Sequence, residues 1–205
     1  MSGSGVRPAE PRDLEACARV LAWAFQDDPG AVIFDPDPER RAAMLPRFFR
    51  AFIAASLAEA GDLVVCGDPA VGIACWFGPA MYGPSPEAMA ANGFGDVLDG
   101  WGPEASERII AMTGEIEVQH DRLISGPHFR LDFFGVDPVS QGSGIGSALI
   151  EHGHRIADAR WLPCYLETFT ATNVRYYERR GYGIIDEYVV GDAVPVYALV
   201  RQPRT

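Results

Sequence analysis

A chain of 205 residues is long enough for one α/β domain with a substantial core and too short for two of ordinary size. Its 48% apolar and 22% charged residues are ordinary globular values, and a formal charge of −11 speaks against nucleic acid or an anionic membrane as a partner. All 17 basic residues are arginine, so Schiff-base chemistry and a lysine-dependent phosphate loop are excluded.

Val6 to Ala9 predicts a short edge strand, and Asp13 to Phe25 a helix with Leu14, Cys17, Ala18, Leu21 and Phe25 on one face. An acidic, proline-rich loop is expected from Asp27 to Pro38. Pro38-Glu39 then opens a second helix carrying Met44, Leu45, Phe48, Phe49, Phe52 and Ile53, which Gly61 ends. Leu63–Cys66 and Ala70–Phe77, separated by Gly67-Asp68-Pro69, read as a hairpin. Gly78 to Gly102 is rich in Gly and Pro and carries no readable period. Further on, the pattern predicts a helix over 103–120, a strand over 129–136, a helix over 144–160, a strand over 164–168, a short helix over 174–180, and closing strands over 182–190 and 194–200. This succession is an α+β arrangement around a mixed sheet.

Cys17, Cys66, Cys75 and Cys164 show no paired spacing, and free thiols in a reducing compartment are expected. The stretch MSGSGVRPAEPRD has no apolar h-region, and no apolar run approaches the ~20 residues of a membrane span, so the protein reads as cytoplasmic. His152 and His154 are two apart on a helix and point to different faces, which gives no metal pair. No metal is expected.

From Phe129 onward a strand runs through Gln141-Gly142-Ser143-Gly144-Ile145-Gly146 into a helix. A helix entered through glycines exposes unpaired N–H groups and the positive end of its dipole, and both favour phosphate. A Walker A loop fails for want of lysine. A Rossmann site fails because Asp137 to Gln141 separates the strand from the first glycine and Ser147 replaces the third. A plain tight turn remains possible on these residues alone.

The Gln-x-x-Gly-x-Gly pattern after a strand ending Val136-Asp137-Pro138, followed by Asn173-Val-Arg-Tyr-Tyr177-Glu-Arg-Arg-Gly181-Tyr182, resembles the GCN5-related N-acetyltransferases. The segments Gly-Val-Asp-Pro, Gln-Gly-x-Gly-Ile-Gly and Tyr-Leu-Glu-Thr are similar to the puromycin-acetyltransferase-like small-molecule subgroup. The resemblance implies one domain over 1–205 with a three-layer α/β/α fold. Its sheet would be mixed, mostly antiparallel and of about six or seven strands. It also implies acetyl-CoA as cosubstrate and a small-molecule primary amine as acceptor, in a monomer or homodimer. A non-catalytic acyl-CoA sensor and a peptide or protein acetyltransferase are the alternatives.

On the same resemblance, Gln141, Gly142, Ser143, Gly144, Ile145, Gly146 and Ser147 would hold the pyrophosphate. Phe134, Gly135 and Val136 would offer backbone groups to the pantetheine arm and the thioester carbonyl. Asn173, Tyr176, Tyr177 and Arg179 would complete the cofactor site. Asn173 would bond the pantetheine, or else cap the helix beginning at Val174. Tyr177 falls where the family places the acid that protonates the departing thiolate, the alternative being a packed aromatic. For the base, Glu167 interrupts an apolar strand and comes first. Asp132, expected on one strand face with Arg130 and Phe134, comes second. Either carboxylate could simply pair with an arginine. His120 and His128 are expected to be structural or solvent-facing. Arg175, Arg179 and Arg180 would attract a 3′-phosphate or form a solvated face. Phe25, Trp76, Phe77, Tyr82, Phe133 and Phe134 could line an acceptor pocket or fill the core.

Overall fold

The computed structural model describes residues 5–59, 61–191 and 193–204. The first four residues of the stretch MSGSGVRPAEPRD therefore lie outside the described residues. Seven strands form one sheet in the order β1-β2-β3-β4-β5-β7-β6. They are β1 (Val6–Pro8), β2 (Asp62–Cys66), β3 (Gly72–Phe77), β4 (Phe129–Val136), β5 (Cys164–Thr168), β6 (Gly183–Val190) and β7 (Val194–Arg201). Every pairing is antiparallel except β4 with β5. Helices cover both faces, so the expected three-layer architecture is the observed one.

On one face lie α1 (Leu14–Phe25) and α3 (Pro38–Ala58), with α2 (Pro29–Phe34), α4 (Pro86–Ala91), α5 (Phe94–Trp101) and α6 (Pro103–Leu123) packed around them. On the other lie α7 (Ile145–Ala159) and α8 (Ala171–Glu178). Each face has its own apolar core. β3 is buried along its whole length, with Ile73, Cys75 and Phe77 facing the first core and Ala74 and Trp76 the second. Trp76 and Phe77 are therefore core residues and do not line a pocket. A side chain of this size contributes about 2 kcal/mol when fully buried.

Two expectations change here. The run from Asp27 to Pro38 contains a helix: the Asp28 carboxylate accepts from the Gly30 amide at 2.9 Å, and Pro29 occupies the first turn. Gly78 to Gly102 likewise holds α4, capped by Ser85 and opened by Pro86, and α5. Helices of six to eight residues make about two turns and leave too few apolar repeats for periodicity to register.

Within β4 the register against β3 slips. Cys75 opposes Phe133 and Trp76 opposes Leu131, which leaves Asp132 as the extra residue of a bulge. Alternation consequently changes phase. Phe133 packs into the first core, and Phe134 crosses to the second, against Tyr176. Asp132 does not share a face with Phe134, as strict alternation predicts; its neighbours are Arg130 and Phe133.

Candidate active site

β4 and β5 are hydrogen-bonded only from Phe129 to Leu131 against Cys164 to Leu166. Beyond that point the strands part, and the backbone of Asp132 to Val136 faces an open cleft on the β5 side. The cleft belongs to a cavity of about 1420 Å³. At one end the wall is the turn entering α7, and at the other it is the aromatic surface of α1, α2, α3 and α5.

The turn leaves its backbone amides free. Gly142 and Gly144 take φ of +77° and +89°, a left-handed backbone that side-chain-bearing residues adopt at a cost. No side chain caps α7, and the amide N–H groups from Gly142 to Ser147 find no acceptor among the described residues. Gln141 closes the turn by donating from Nε2 to the Val136 carbonyl at 3.2 Å. Ser143 is not on the cavity wall, and its hydroxyl instead donates to the Ser140 carbonyl. A Cβ at Gly146 would stand 2.9 Å from the Tyr176 hydroxyl, so glycine there lets α8 close over the turn.

Arg180 joins the two helices. Its guanidinium carbon lies 3.4 Å from the centre of the Tyr176 ring, and it donates to Ser147 Oγ at 2.7 Å. This bracing was not expected from sequence, which grouped Arg180 with its neighbours as diffuse positive charge. Arg179 is on the cavity wall, and Arg175 is not.

α8 starts three residues earlier than periodicity predicts. Thr170 caps it, accepting from the Asn173 amide at 3.3 Å, so the expectation that Asn173 itself caps the helix fails. Asn173 instead occupies the first turn and donates from Nδ2 to Thr168 Oγ1 at 3.1 Å. Tyr177 is 8% exposed, and its hydroxyl has no hydrogen-bond partner among the described residues although the side chain lines the cavity. Burial pushes this phenol above its ordinary pKa and keeps it protonated.

The carboxylates are unequal. Glu167 Oε1 accepts from Tyr188 at 2.6 Å and Tyr165 at 2.7 Å, while Oε2 receives Arg130 at 3.5 Å. Burial raises its pKa against the opposing pull of Arg130 and the two phenols. Asp132 makes no hydrogen bond among the described residues, and Arg130 comes only within 3.8 Å of it. Burial pushes its pKa up to about 6, opposed by Arg130. Arg130 itself is buried and donates to Glu117 at 2.6 Å. The arginine pairing that would explain a structural carboxylate is therefore real for both, as a long hydrogen bond to Glu167 and as a charge contact without a hydrogen bond to Asp132.

Asp28, supplied by α2, is a further carboxylate of the cavity that the sequence did not single out, and burial raises it to about 6. His120 and His128 are both buried, with Nε2 atoms 2.8 Å apart. Because His128 Nδ1 faces the Gly126 carbonyl at 2.9 Å, its Nε2 is the acceptor of that pair. Among the described residues, no group of three or more His, Cys, Asp or Glu is arranged to hold a metal, and no helix is long and apolar enough to cross a membrane.

Residues 77–182 match the Acetyltransferase (GNAT) family. This chain belongs to that family. The structure of a histone acetyltransferase HPA2 and related acetyltransferase from Corynebacterium glutamicum is similar to it at 25% identity, with a TM-score of 0.65 and 98% and 96% of the two chains covered. Arylalkylamine N-acetyltransferase 2 from Aedes aegypti aligns at 13% identity and a TM-score of 0.61, covering 97% and 98%. An agmatine N-acetyltransferase variant aligns at 14% and 0.59, covering 96% and 98%. The last two likenesses concern the fold.

GNAT enzymes use acetyl-CoA, and the residues present fit it. Free amides at the start of α7 suit a pyrophosphate, and the unpaired edge of β4 suits an amide-bearing arm.

Proposed function

We propose that this chain is a single-domain N-acetyltransferase that transfers acetyl from acetyl-CoA to a primary amine of a small molecule, by direct attack with both substrates bound. One observation carries this reading: the amide turn, the open edge of β4, Asp132 and Tyr177 all border one continuous cavity. Its volume of about 1420 Å³ exceeds the upper end of ordinary single-ligand pockets, about 1,000 Å³, and leaves room for a cofactor arm and an acceptor together.

The cosubstrate supplies an activated acyl thioester. The amides from Gly142 to Ser147 hold its pyrophosphate, and β4 backbone from Phe134 to Val136 orients its arm and polarises the thioester carbonyl. Asp132 takes the proton that an ammonium must lose before it can attack, and the Tyr177 hydroxyl gives one to the departing sulfur. Asp132 rather than Glu167 serves as base because Glu167 already holds two phenols. Glu167 and Arg130 then set the electrostatics around it. Four unpaired thiols accord with a reducing, cytoplasmic setting, and the likeness to the puromycin-acetyltransferase subgroup belongs to this same reading.

The test is release of free CoA thiol from acetyl-CoA across a panel of amines and peptides. Amine-dependent release is expected. Tight CoA binding without release in the presence of any acceptor would replace the enzyme with a sensor.

A further inference from the structure

The acceptor end of the cavity has a distinct chemical character. The bulge in β4 sets Asp132 and Phe133 side by side on the face toward α1 and α3. Phe133 meets Phe25, Phe49 and Phe52 nearly edge-on, with ring centres 5.4, 5.1 and 4.8 Å away. Phe48 and Phe94 continue the aromatic wall. Phe25, Phe94 and Phe133 are only partly buried, although each packs against the core, because this wall faces the cavity.

Charge and polarity are sharply partitioned. Asp28, Glu117, Asp132 and Glu167 border the cavity against the single guanidinium of Arg130 on this side, a field that draws a cation. The wall contributed by α3, α4 and α5 carries no polar side chain. A second cation, or a set of hydroxyls, pushed into that wall would lose its water without gaining a partner.

Resting on the acetyltransferase reading, we infer that the acceptor is a monocationic amine with an aromatic or similarly bulky apolar body. Its ammonium sits at Asp132, and its body lies in the aromatic wall around Phe133. Polyamines, amino sugars and lysine-bearing peptides are the classes this wall rejects.

The experiment compares kcat/KM for thiol release with phenethylamine and phenylbutylamine against ethanolamine, spermidine and a lysine peptide, with calorimetric binding of phenylbutylamine to the cofactor-free protein alongside. The aryl amines should exceed the polar ones by about a hundredfold, since a polar group in this wall goes unpaired. Phe94→Gln should cut the ratio of phenylbutylamine to ethanolamine rates by about tenfold, and Phe94→Leu should restore most of it. Release that is equal or faster with spermidine or the peptide overturns the inference and leaves the acetyltransferase intact. Absence of release with every acceptor overturns the acetyltransferase reading, and calorimetry then decides the binding claim, which fails if phenylbutylamine does not bind. A Phe94→Gln variant with an unchanged ratio also overturns it.

Discussion

At Asp132, burial works against the charged form and Arg130 at 3.8 Å only partly offsets it, so the carboxyl titrates at about 6. A base acts deprotonated, so turnover should rise with pH through about 6, and the acidic limb should vanish in Asp132→Asn along with at least a hundredfold of kcat. A pH–rate profile of both proteins checks this; a limb that survives the substitution assigns it elsewhere. Tyr177→Phe should lower kcat by about tenfold with little change in the KM for acetyl-CoA, because a thiol of pKa about 8.5 leaves with modest help. Steady-state kinetics distinguish that from a packing defect, which would disturb both constants. Sequence ranked Glu167 above Asp132 because an acid amid apolar residues is conspicuous. It had no means of showing that Tyr188, from another strand, would occupy the same oxygen as Tyr165. Asp28 was read as part of an acidic loop, since only the path of α2 turns it toward the cavity.

Elements were most legible where their signals are local. The strand–glycine turn–helix unit from 129 to 160 appears nearly as its pattern predicts, because positive φ at glycine and a long apolar stripe are properties of a few adjacent residues. Short α2, α4 and α5 were missed despite Asp28-Pro29 and Ser85-Pro86 at their starts, since caps without periodicity do not define an extent. Gly153 shows a different dependence. It lies in the middle of α7, where glycine weakens a helix by about 1 kcal/mol relative to alanine. Yet a methyl group there would overlap the Trp76 indole of β3. Gly153→Ala should therefore destabilise the protein by about 3 kcal/mol, against the gain that helix propensity alone predicts. Urea unfolding measures the sign directly, and a stabilised variant would mean that α7 can shift away from the sheet.

Over the whole molecule, a buried polar pair outside the cavity makes part of the stability depend on pH. His154 is buried against the Tyr182 hydroxyl at 3.0 Å, and burial lowers its pKa to about 3. The unfolded chain takes a proton near pH 6.5 while the folded chain does not, so this contribution is full above 6.5 and is lost as pH falls below it. Relative to wild type, His154→Gln should lose about 2 kcal/mol less stability between pH 6.5 and pH 5, at about 1.4 kcal/mol per pH unit. Asp158, the carboxylate coupled to His154, is held below its ordinary range by Arg201 and stays ionised between pH 5 and 6.5, so urea unfolding across that window isolates the difference; parallel curves would refute it. What the sequence determined by itself was the family and the glycine turn, because glycines, caps and motif spacing act over a few neighbouring residues. What only the tertiary structure decided was the aromatic end of the cavity and the freer of its carboxylates. Those depend on side chains from six separate helices and on a single extra residue in β4, whose effect on facing is set by its pairing with β3 and by nothing in its own neighbourhood.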